Sequence, residues 1–406
     1  MLSAMNSRPA SAAARTVDDY RDGIEQLLRP LAARPVESVA VPAALGRKLA
    51  ADVRSPIDLP VFRNSAMDGY AVRADDVAVA PVTLPLAGVV AAGQPGRAPL
   101  PVGAALKVMT GAPIPPGADC VVPVEDARVD GGGAVTVERG RSAGEFVREP
   151  GTDVRAGALL VPAGVALTPR HIAALAAVGV PSVPVFQPVR AAVITTGDEL
   201  VPAGRPLRPG QIYNSNGIAL AAALAANGAT VVSVEHSTDD PAVFRRLLSS
   251  ATRSADLVFT SGGVSKGDFE VVKDVLAAHG GLFGSVAVQP GGPQGLTVLD
   301  GVPVLSFPGN PVSTMVSFEV FARPILRHLS GLPPVRTSQV TLCEAVRSPA
   351  GRRQFLRGRL TADGVEPFSG AGSHLIAGMA WADVLIDIPA ETTELAAGAP
   401  VLVHEL

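Results

Sequence analysis

The segment DLVFTSGGVSKGDFEVVKDVLAAH (residues 256–279) decides how the middle of this 406-residue chain folds. A short apolar run of strand length is followed by a glycine-rich polar turn, and then by apolar residues at helical spacing. We therefore expect a strand at Asp256–Thr260 and a helix at Phe269–His279. A strand that passes through such a turn into a helix is the repeating unit of an α/β domain.

The same alternation continues on both sides of this segment, from residue 189 to residue 330. Strands that alternate with helices predict a mostly parallel, doubly wound sheet. The further elements that we expect are strands at Val189–Thr195, Thr230–Glu235, Val286–Val288 and Val302–Ser306, and helices at Asn216–Ala226, Pro241–Thr252 and Val312–Ser330.

The flanking parts of the chain have a different texture. Residues 17–33 and 168–180 have helical spacing, and we expect the second of these helices to pack on the N-terminal helices. Residues 57–155 alternate short β-like runs with Gly and Pro, which predicts a β-rich domain inserted between the helical parts. Smaller expectations are a short helix and a strand at 44–56, linkers at 181–189 and 331–336, and β-like runs over the last seventy residues.

The composition bounds what the chain can bind. With 34 basic and 37 acidic residues the formal net charge is −3, so we expect no nucleic-acid partner. Apolar runs of about 18 residues are missing, and the N-terminus lacks a signal-like apolar run, which favours the cytoplasm and no membrane partner. Neither the two cysteines nor the six histidines have metal-ligand spacing, so a zinc site is not expected.

Three polar, glycine-containing loops follow strands of the predicted sheet, at residues 195–199, 260–268 and 306–310. Ligands of open α/β sheets bind outside the carboxyl ends of the strands, so we expect one site here. Glycine allows close backbone approach and helix N–H groups attract anions, which indicates a phosphorylated or otherwise anionic ligand. We expect Asp198 to cap a helix. Glu199 would be repelled by an anion unless a cation such as Mg²⁺ lies between them.

The stretch NSAMDGYAVR (64–73) lies outside this sheet and reads as a turn before a strand. Exposed turns rarely carry two large side chains, yet this turn carries Met67 and Tyr70 beside Asp68. Asp68 either caps its own turn through backbone N–H groups or faces a ligand.

These motifs, in this order, resemble the molybdopterin molybdenumtransferases of molybdenum-cofactor biosynthesis, a family that includes the C-terminal domain of gephyrin. The likeness runs from about residue 15 to the C-terminus. It is carried by NSAMDGYAVR (64–73), VMTGAPIPPGAD (108–119), TTGDEL (195–200), GQIYNSN (210–216), TSGGVS (260–265) and PGNPVS (308–313).

The resemblance implies a homodimer whose active site is shared between subunits. It implies insertion of molybdate into adenylylated molybdopterin, dependent on Mg²⁺ and with release of AMP. The molybdopterin adenylyltransferase that makes this substrate is an expected partner. The implied domains are an elongated N-terminal domain (15–56 and 156–188), an inserted β-rich domain (57–155), an α/β molybdopterin-binding domain (189–331) and a C-terminal β domain (336–406).

The resemblance also implies roles for residues at matching positions. Asp68 and Glu199 would hold the metal, with Asp68 reaching across the dimer interface. The catalytic candidates are Asp68, Thr110, Asp153, Glu199, Asp239 or Asp240, and Glu270. The candidates for contact with phosphate or pterin are Arg148, Ser261, Gly262, Gly263, Ser265, Lys266, Pro308, Gly309, Asn310 and Ser313.

The chain departs from the family pattern at three positions. Glu270 stands where Asp is usual, and Gln289 and Gly292 stand where two lysines are frequent. At about 4 Å and an effective dielectric constant of about 20, each lost charge pair would remove about 4 kcal/mol before desolvation. Lys266, one of four lysines, is our candidate for part of the missing charge.

Two other functions stay open on the sequence alone. A molybdopterin adenylyltransferase has a similar α/β domain, but it is a small single-domain protein. A binding or scaffold protein would hold molybdopterin without turnover, which the absence of the two lysines favours. The sequence does not separate molybdate from tungstate as the substrate.

Overall fold

The computed structural model describes residues 14–93, 99–265 and 270–406. Strands within these ranges form three six-stranded sheets and several two-stranded ladders. None of the helices found there is long and apolar enough to cross a membrane. Lys266 lies outside the described residues, so its contact with a ligand stays a prediction.

The central sheet is mostly parallel and carries helices on both faces, as the sequence predicts. Alternate residues of its strand Arg190–Thr196 face opposite sides, which places Ala191 and Val193 in one core and Ala192 and Ile194 in the other. The strand order is Thr230–Ser237, Arg190–Thr196, Leu257–Ser261, Val302–Phe307, Pro293–Leu299 and Leu282–Ser285, of which the first four are parallel and the last two antiparallel to their neighbours.

The helices of this unit match the sequence expectation in number and order. The last of them, predicted as one helix at Val312–Ser330, contains a π-helical segment at Phe318–Ala322 between two α-helical parts. The α-helices are Asn216–Ala226, Pro241–Ser254, Val271–Ala277, Pro311–Ser317 and Arg323–Leu329.

The strand predicted at Val286–Val288 is wrong for this sheet. Val288–Gln289 instead pairs in parallel with Arg353–Thr361 of the C-terminal sheet. In the central sheet, Val302–Phe307 instead pairs with Pro293–Leu299, a strand that the Gly and Pro residues between 289 and 295 conceal in the sequence, and Leu282–Ser285 forms the edge. One segment of the α/β chain is therefore part of the C-terminal sheet.

The N-terminal helix Val17–Leu28 packs on the central sheet. Thr16 caps it by accepting a hydrogen bond from the Asp19 N–H at 3.0 Å. Its apolar face enters the core of the sheet, where the ring of Tyr20 meets Phe321 edge-on with centroids 4.9 Å apart. A 3₁₀ turn, Arg29–Ala33, follows it.

The helix Pro169–Ala177 packs on the N-terminal segment around residues 41–49, so the predicted contact is right for this segment and wrong for the helix Val17–Leu28. Leu175 of this helix lies in a separate core with Val41, Leu49 and Val185. The strand pairs around this core are Val36–Ala40 with Ser182–Phe186 and Val53–Arg54 with Leu159–Val161, with a 3₁₀ turn at Val41–Ala43.

Two further expectations for this region are wrong. The helix predicted within 44–56 does not form, because Gly46 turns the chain at φ 75° and Leu49 then bridges to Val185. The linker predicted at 181–189 contains the strand Ser182–Phe186. Its Pro184 is tolerated because this ladder has only two strands, which demand few N–H donors.

The β-rich part has its own sheet and core, as predicted. Tyr70 is buried in that core, while Met67 is half-buried. Gly69 is required beside it, because a Cβ there would overlap the carbonyl oxygen of Val122. The strand order is Cys120–Pro123, Gly69–Val72, Ala105–Val108, Val82–Val90, Ala134–Val137 and Ala127–Asp130, with a ladder of Asn64–Ser65 and Val147–Arg148 and 3₁₀ turns at Ala74–Val77 and Val124–Asp126.

The C-terminal residues form the third sheet, as predicted. Its strand order is Val288–Gln289, Arg353–Thr361, Val384–Ile388, Pro400–Glu405 and Thr337–Thr341; Gly364–Pro367 adds to Arg353–Thr361, Val346–Arg347 pairs with Glu394–Leu395, and a 3₁₀ helix spans Ile376–Trp381.

A buried carboxylate connects this sheet to the N-terminal helix. Asp387 accepts two hydrogen bonds from Arg353 at 2.7 and 2.8 Å, and it lies 2.9 Å from His404 Nε2. Arg353 also reaches Asp18 at 3.1 Å. Burial acts to raise the pKa of Asp387, but the hydrogen bonds from Arg353 and His404 outweigh it, and the net pKa is lowered.

Candidate active site

A cavity of about 880 Å³ lies at the carboxyl ends of the parallel strands, where the sequence predicts a ligand site. It combines polar loops from the α/β unit with a segment of the C-terminal sheet domain. Of the predicted site residues it contains Glu199, Asp239, Ser261, Gly262, Gly263, Ser265, Glu270, Pro308, Gly309, Asn310 and Ser313.

The glycine-rich loop is shaped by its close approach to Thr196. Gly262 has φ 102°, and a Cβ there would lie 2.7 Å from Thr196 Oγ1, so only glycine fits. Thr196 lines the cavity and is 6% exposed, and its hydroxyl has no hydrogen-bond partner among the described residues. A buried hydroxyl of this kind at a cavity wall is suited to a polar atom of a ligand.

Two carboxylates face this loop from neighbouring strands. Glu199 is exposed to the cavity, and within the described part of the chain no hydrogen bond engages its carboxylate. Asp239 is held by Asp198, since each backbone N–H donates to the other carboxylate, at 3.4 and 3.2 Å. The expectation that Asp198 caps a helix is therefore wrong. Asp240 caps Pro241–Ser254 instead, so Asp239 is the residue of the pair that lines the cavity.

Glu270 closes the glycine-rich loop from its far side. Its carboxylate accepts a hydrogen bond from the Ser265 N–H at 2.7 Å, and the side chain is buried. This contact holds Ser265 next to the start of the helix Val271–Ala277. A catalytic role for Glu270 stays a prediction.

Asn216 joins the two phosphate-binding candidate loops and was not among the predicted site residues. Its side-chain amide donates to Ser261 Oγ at 2.9 Å and to the carbonyl oxygen of Gly309 at 2.7 Å. Thr314 fixes the same turn by donating to the carbonyl oxygen of Pro308 at 2.6 Å. The motif GQIYNSN, which ends at Asn216, contained the signal that this residue belongs to the site.

The C-terminal wall of the cavity, residues 371–374, was missed entirely by the sequence analysis. Ser373 attaches it to the α/β unit, because its hydroxyl accepts from Asn310 Nδ2 at 2.9 Å and its carbonyl from the Val312 N–H at 3.0 Å. Behind the wall Arg357 is 2% exposed and donates to the carbonyl oxygens of Ser369 and Gly370. Burial lowers the pKa of this guanidinium. A glycine-rich polar run, SGAGSH (369–374), between two strands was the available signal.

The candidates of the β-rich part lie outside this cavity. Asp68 is exposed and accepts two hydrogen bonds from Thr110, from the backbone N–H at 2.6 Å and from the hydroxyl at 2.8 Å. The backbone bond, followed by the hydroxyl bond, lowers the pKa of Asp68. Asp68 thus bonds a residue of the second family motif rather than its own turn. Arg148 pairs with Asn64 beside this motif, and Asp153 is exposed.

The residues predicted to hold a metal therefore lie on two different surfaces of the chain. Throughout residues 14–93, 99–265 and 270–406, no group of three or more His, Cys, Asp or Glu side chains is arranged to hold an ion. The carboxylate oxygens of Glu199, which is exposed, and of Asp239, which is half-buried, are of the kind that Mg²⁺ prefers, so the donor chemistry fits this ion. The predicted pair of Asp68 and Glu199 does not meet within the cavity of one chain.

Known proteins match each part of this architecture. Residues 15–179 match the family model described as MoeA N-terminal region (domain I and II), and residues 192–328 match the probable molybdopterin binding domain. Residues 339–406 match the MoeA C-terminal region (domain IV).

Similar proteins match over nearly their whole length. The molybdopterin molybdenumtransferase 2 of Mycobacterium tuberculosis is 43% identical over 97% of this chain and 100% of that protein. The molybdopterin molybdenumtransferase of Synechococcus elongatus is 40% identical, over 95% and 99%. A crystal structure of a MoeA protein from Pyrococcus horikoshii has a TM-score of 0.78 at 34% identity, covering 94% of this chain and 98% of that one.

The fold and the cavity define a multidomain enzyme with a molybdopterin-binding α/β domain. More narrowly, the chain belongs to the molybdopterin molybdenumtransferase family, whose members are transferases of molybdenum-cofactor biosynthesis.

Proposed function

We propose that this protein inserts molybdate into adenylylated molybdopterin, with Mg²⁺ as the required cation and AMP as the released product. The observation that carries the proposal is the cavity itself, which is lined by the carboxylates of Glu199 and Asp239 together with glycine-rich loops. Backbone N–H groups of such loops bind phosphate oxygens, and carboxylates hold a divalent cation beside them. Its volume of about 880 Å³ is within the range of sites for cofactor-sized ligands.

The residues of the cavity have distinct roles in this proposal. Ser261, Gly262 and Gly263 bind the phosphate or pterin through the loop backbone, and the unpartnered hydroxyl of Thr196 adds a hydrogen bond. Asn310 and Ser313 bind from the opposite loop. Since thiolates of the substrate accept the molybdenum, no cysteine of the protein is required for the transfer.

Glu199 and Asp239 would hold the cation. A bound Mg²⁺ would supply positive charge and Lewis acidity for the breakage of the phosphoanhydride. Glu199 therefore acts by positioning charge next to the bond that breaks when AMP leaves.

We also propose that the active site is shared between two subunits. Asp68 and Thr110 bond each other but do not line the cavity of their own chain. In a homodimer, the β-rich domain of one subunit would bring Asp68 to the cavity of the other. The domain boundaries, the cytoplasmic location and the link to the adenylyltransferase stay predictions of the sequence.

A scaffold function is the second candidate, and one observation favours it. Neither Lys nor Arg is found among the described residues that line the cavity, although the proposed substrate is anionic. The adenylyltransferase is not favoured, because the similarity to molybdenumtransferases extends over the N-terminal, central and C-terminal parts.

An AMP-release assay separates these functions. Purified protein is mixed with adenylylated molybdopterin, and AMP is measured after adding Mg²⁺ and molybdate, with tungstate, Mg²⁺ alone and molybdate alone in parallel. Release that requires both additions supports the transferase. Tight binding without release supports the scaffold. Adenylylation of molybdopterin from ATP would instead support the adenylyltransferase.

A further inference from the structure

We propose that the imidazole of His374 contacts the phosphate of the ligand, and that the C-terminal domain therefore supplies a binding residue to the cavity of the α/β domain. This inference rests on the proposed function, because it requires an anionic ligand.

The charges on the cavity wall are the first reason. Three carboxylates line it, from Glu199, Asp239 and Glu270, and the lining residues that the structure describes include no Lys or Arg. Among those residues His374 is the single side chain that can carry a positive charge. A divalent cation offsets the carboxylates, but a phosphate bound in the same space still needs donors of its own.

The position of His374 is the second reason. It is the last residue of the C-terminal wall, directly after Ser373, which is fastened to Asn310 and Val312 by the two hydrogen bonds described above. Its own carbonyl accepts from the Ile376 N–H at 2.9 Å, which fixes the backbone on the other side. The backbone that carries His374 is thus tied to the candidate phosphate loop at Pro308–Asn310.

The third reason is that the imidazole is not engaged by other described side chains or by the backbone. The ring is exposed to the cavity, and within the described ranges no hydrogen bond or ion pair engages its nitrogens. An imidazole offers N–H donors to phosphate oxygens and adds a charge when protonated. Glu270, by contrast, is bonded to the loop backbone.

A thermodynamic cycle tests the assignment. The dissociation constants of molybdopterin and of its dephosphorylated form are measured for the parent and for His374→Gln, His374→Lys and the control His279→Gln, an exposed histidine outside the cavity. We expect His374→Gln to weaken binding of molybdopterin about tenfold, or ~1.4 kcal/mol. For the dephosphorylated ligand, His374→Gln should weaken binding by less than about twofold, because the cycle isolates the phosphate contact.

His374→Lys should bind molybdopterin within about threefold of the parent, and His279→Gln should match the parent. Equal melting temperatures of all four proteins confirm that folding is unchanged. The inference is overturned if His374→Gln binds molybdopterin like the parent, or if it weakens both ligands equally. A failure of the proposed function gives a different result. AMP release is then absent, but His374→Gln still weakens the binding of molybdopterin more than that of the dephosphorylated form. A parent that binds no molybdopterin overturns both.

Discussion

Gln354 donates its side-chain N–H to Oε1 of Gln289 at 2.7 Å, and this bond joins the C-terminal sheet to the wall of the cavity. Gln354 is 2% exposed, so it is a buried residue that holds the side chain of Gln289 in place. The amide nitrogen of Gln289 remains as a neutral donor at a position where lysine is frequent in the family. This part of the wall therefore offers a neutral donor and no fixed charge.

Replacing Gln289 by lysine should raise the affinity for the ligand and lower the stability of the fold. We expect Gln289→Lys to tighten binding of adenylylated molybdopterin about threefold to tenfold and to steepen its salt dependence. The buried amide of Gln354 loses its acceptor, which should cost about 1–3 kcal/mol of unfolding free energy. Titrations at several salt concentrations and urea unfolding measure the two effects. Gly292→Lys is the control, because Gly292 does not line the cavity; equal gains from both variants would contradict the prediction.

Glu199→Gln should keep the fold and lose roughly 100-fold or more of the Mg²⁺-dependent AMP release, because the neutral amide no longer offsets the cation. Glu235→Gln is the matched control. It removes an exposed carboxylate from the same sheet outside the cavity and should leave turnover unchanged. Turnover of Glu199→Gln within about twofold of the parent would remove Glu199 from the mechanism.

A shared active site should allow complementation between inactive subunits. Asp68→Ala and Glu199→Ala proteins are mixed under conditions that exchange subunits, and AMP release is measured. Each heterodimer keeps one site with both carboxylates, so activity should return to about half that of the parent per heterodimer. Heterodimers that form, as shown by two different affinity tags, and yet stay inactive would contradict the shared site.

Gly262→Ala should be costly for two separable reasons. At φ 102° an alanine is strained, and its Cβ would also lie 2.7 Å from Thr196 Oγ1 and 2.8 Å from the carbonyl of Thr196. We expect the free energy of unfolding to fall by about 2–4 kcal/mol and most ligand binding to be lost. Gly301→Ala, at φ 80° in open space, carries the backbone strain alone and should lose only about 1 kcal/mol with binding intact. Equal losses in urea unfolding would mean that the contact with Thr196 is unimportant.

The buried Asp387 should make the C-terminal sheet sensitive to acid. Its pKa is lowered in the folded protein, so its stabilisation is present above the unfolded pKa of about 3.9 and is lost as the pH falls below that value. At pH 7 we expect Asp387→Asn to lower the free energy of unfolding by about 3 kcal/mol, because the amide removes the buried carboxylate partner of Arg353 and leaves it only the exposed Asp18. The gap to the parent in urea unfolding should narrow below about pH 4. The control Asp363→Asn lies in an exposed turn. Its free energy of unfolding should stay within about 0.5 kcal/mol of the parent's at every pH.

The sequence predicts best where a single segment determines the outcome. The helix at Asn216–Ala226 forms at the predicted residues, and Glu199 and Gly262 meet in one cavity, since strand ends of a parallel sheet share an edge. Prediction from the sequence fails where a contact between two distant segments determines the structure. The wall at Ser373 is set by a hydrogen bond from Asn310, and no periodicity encodes that contact.

The two wrong strand assignments have the same origin. Val288–Gln289 and Ser182–Phe186 are strands only because a partner elsewhere in the chain pairs with them. The Pro residues around Ser182–Phe186 favour a linker in any local reading, because turn residues are the strongest signals in a single sequence. The strand expected at Val286–Val288 is wrong only in the sheet to which it belongs.

The packing of Tyr20 against Phe321 sets an order of events during synthesis. The N-terminal helix leaves the ribosome first, but the ring that covers its apolar face is made about 300 residues later. At elongation rates of roughly 5–20 residues per second, Tyr20 is therefore without this ring for roughly 15–60 s. The β-rich domain, whose sheet is built from residues 69–137, is complete well within that time. The nascent chain therefore carries a finished domain next to an uncovered helix, which is a surface that chaperones bind.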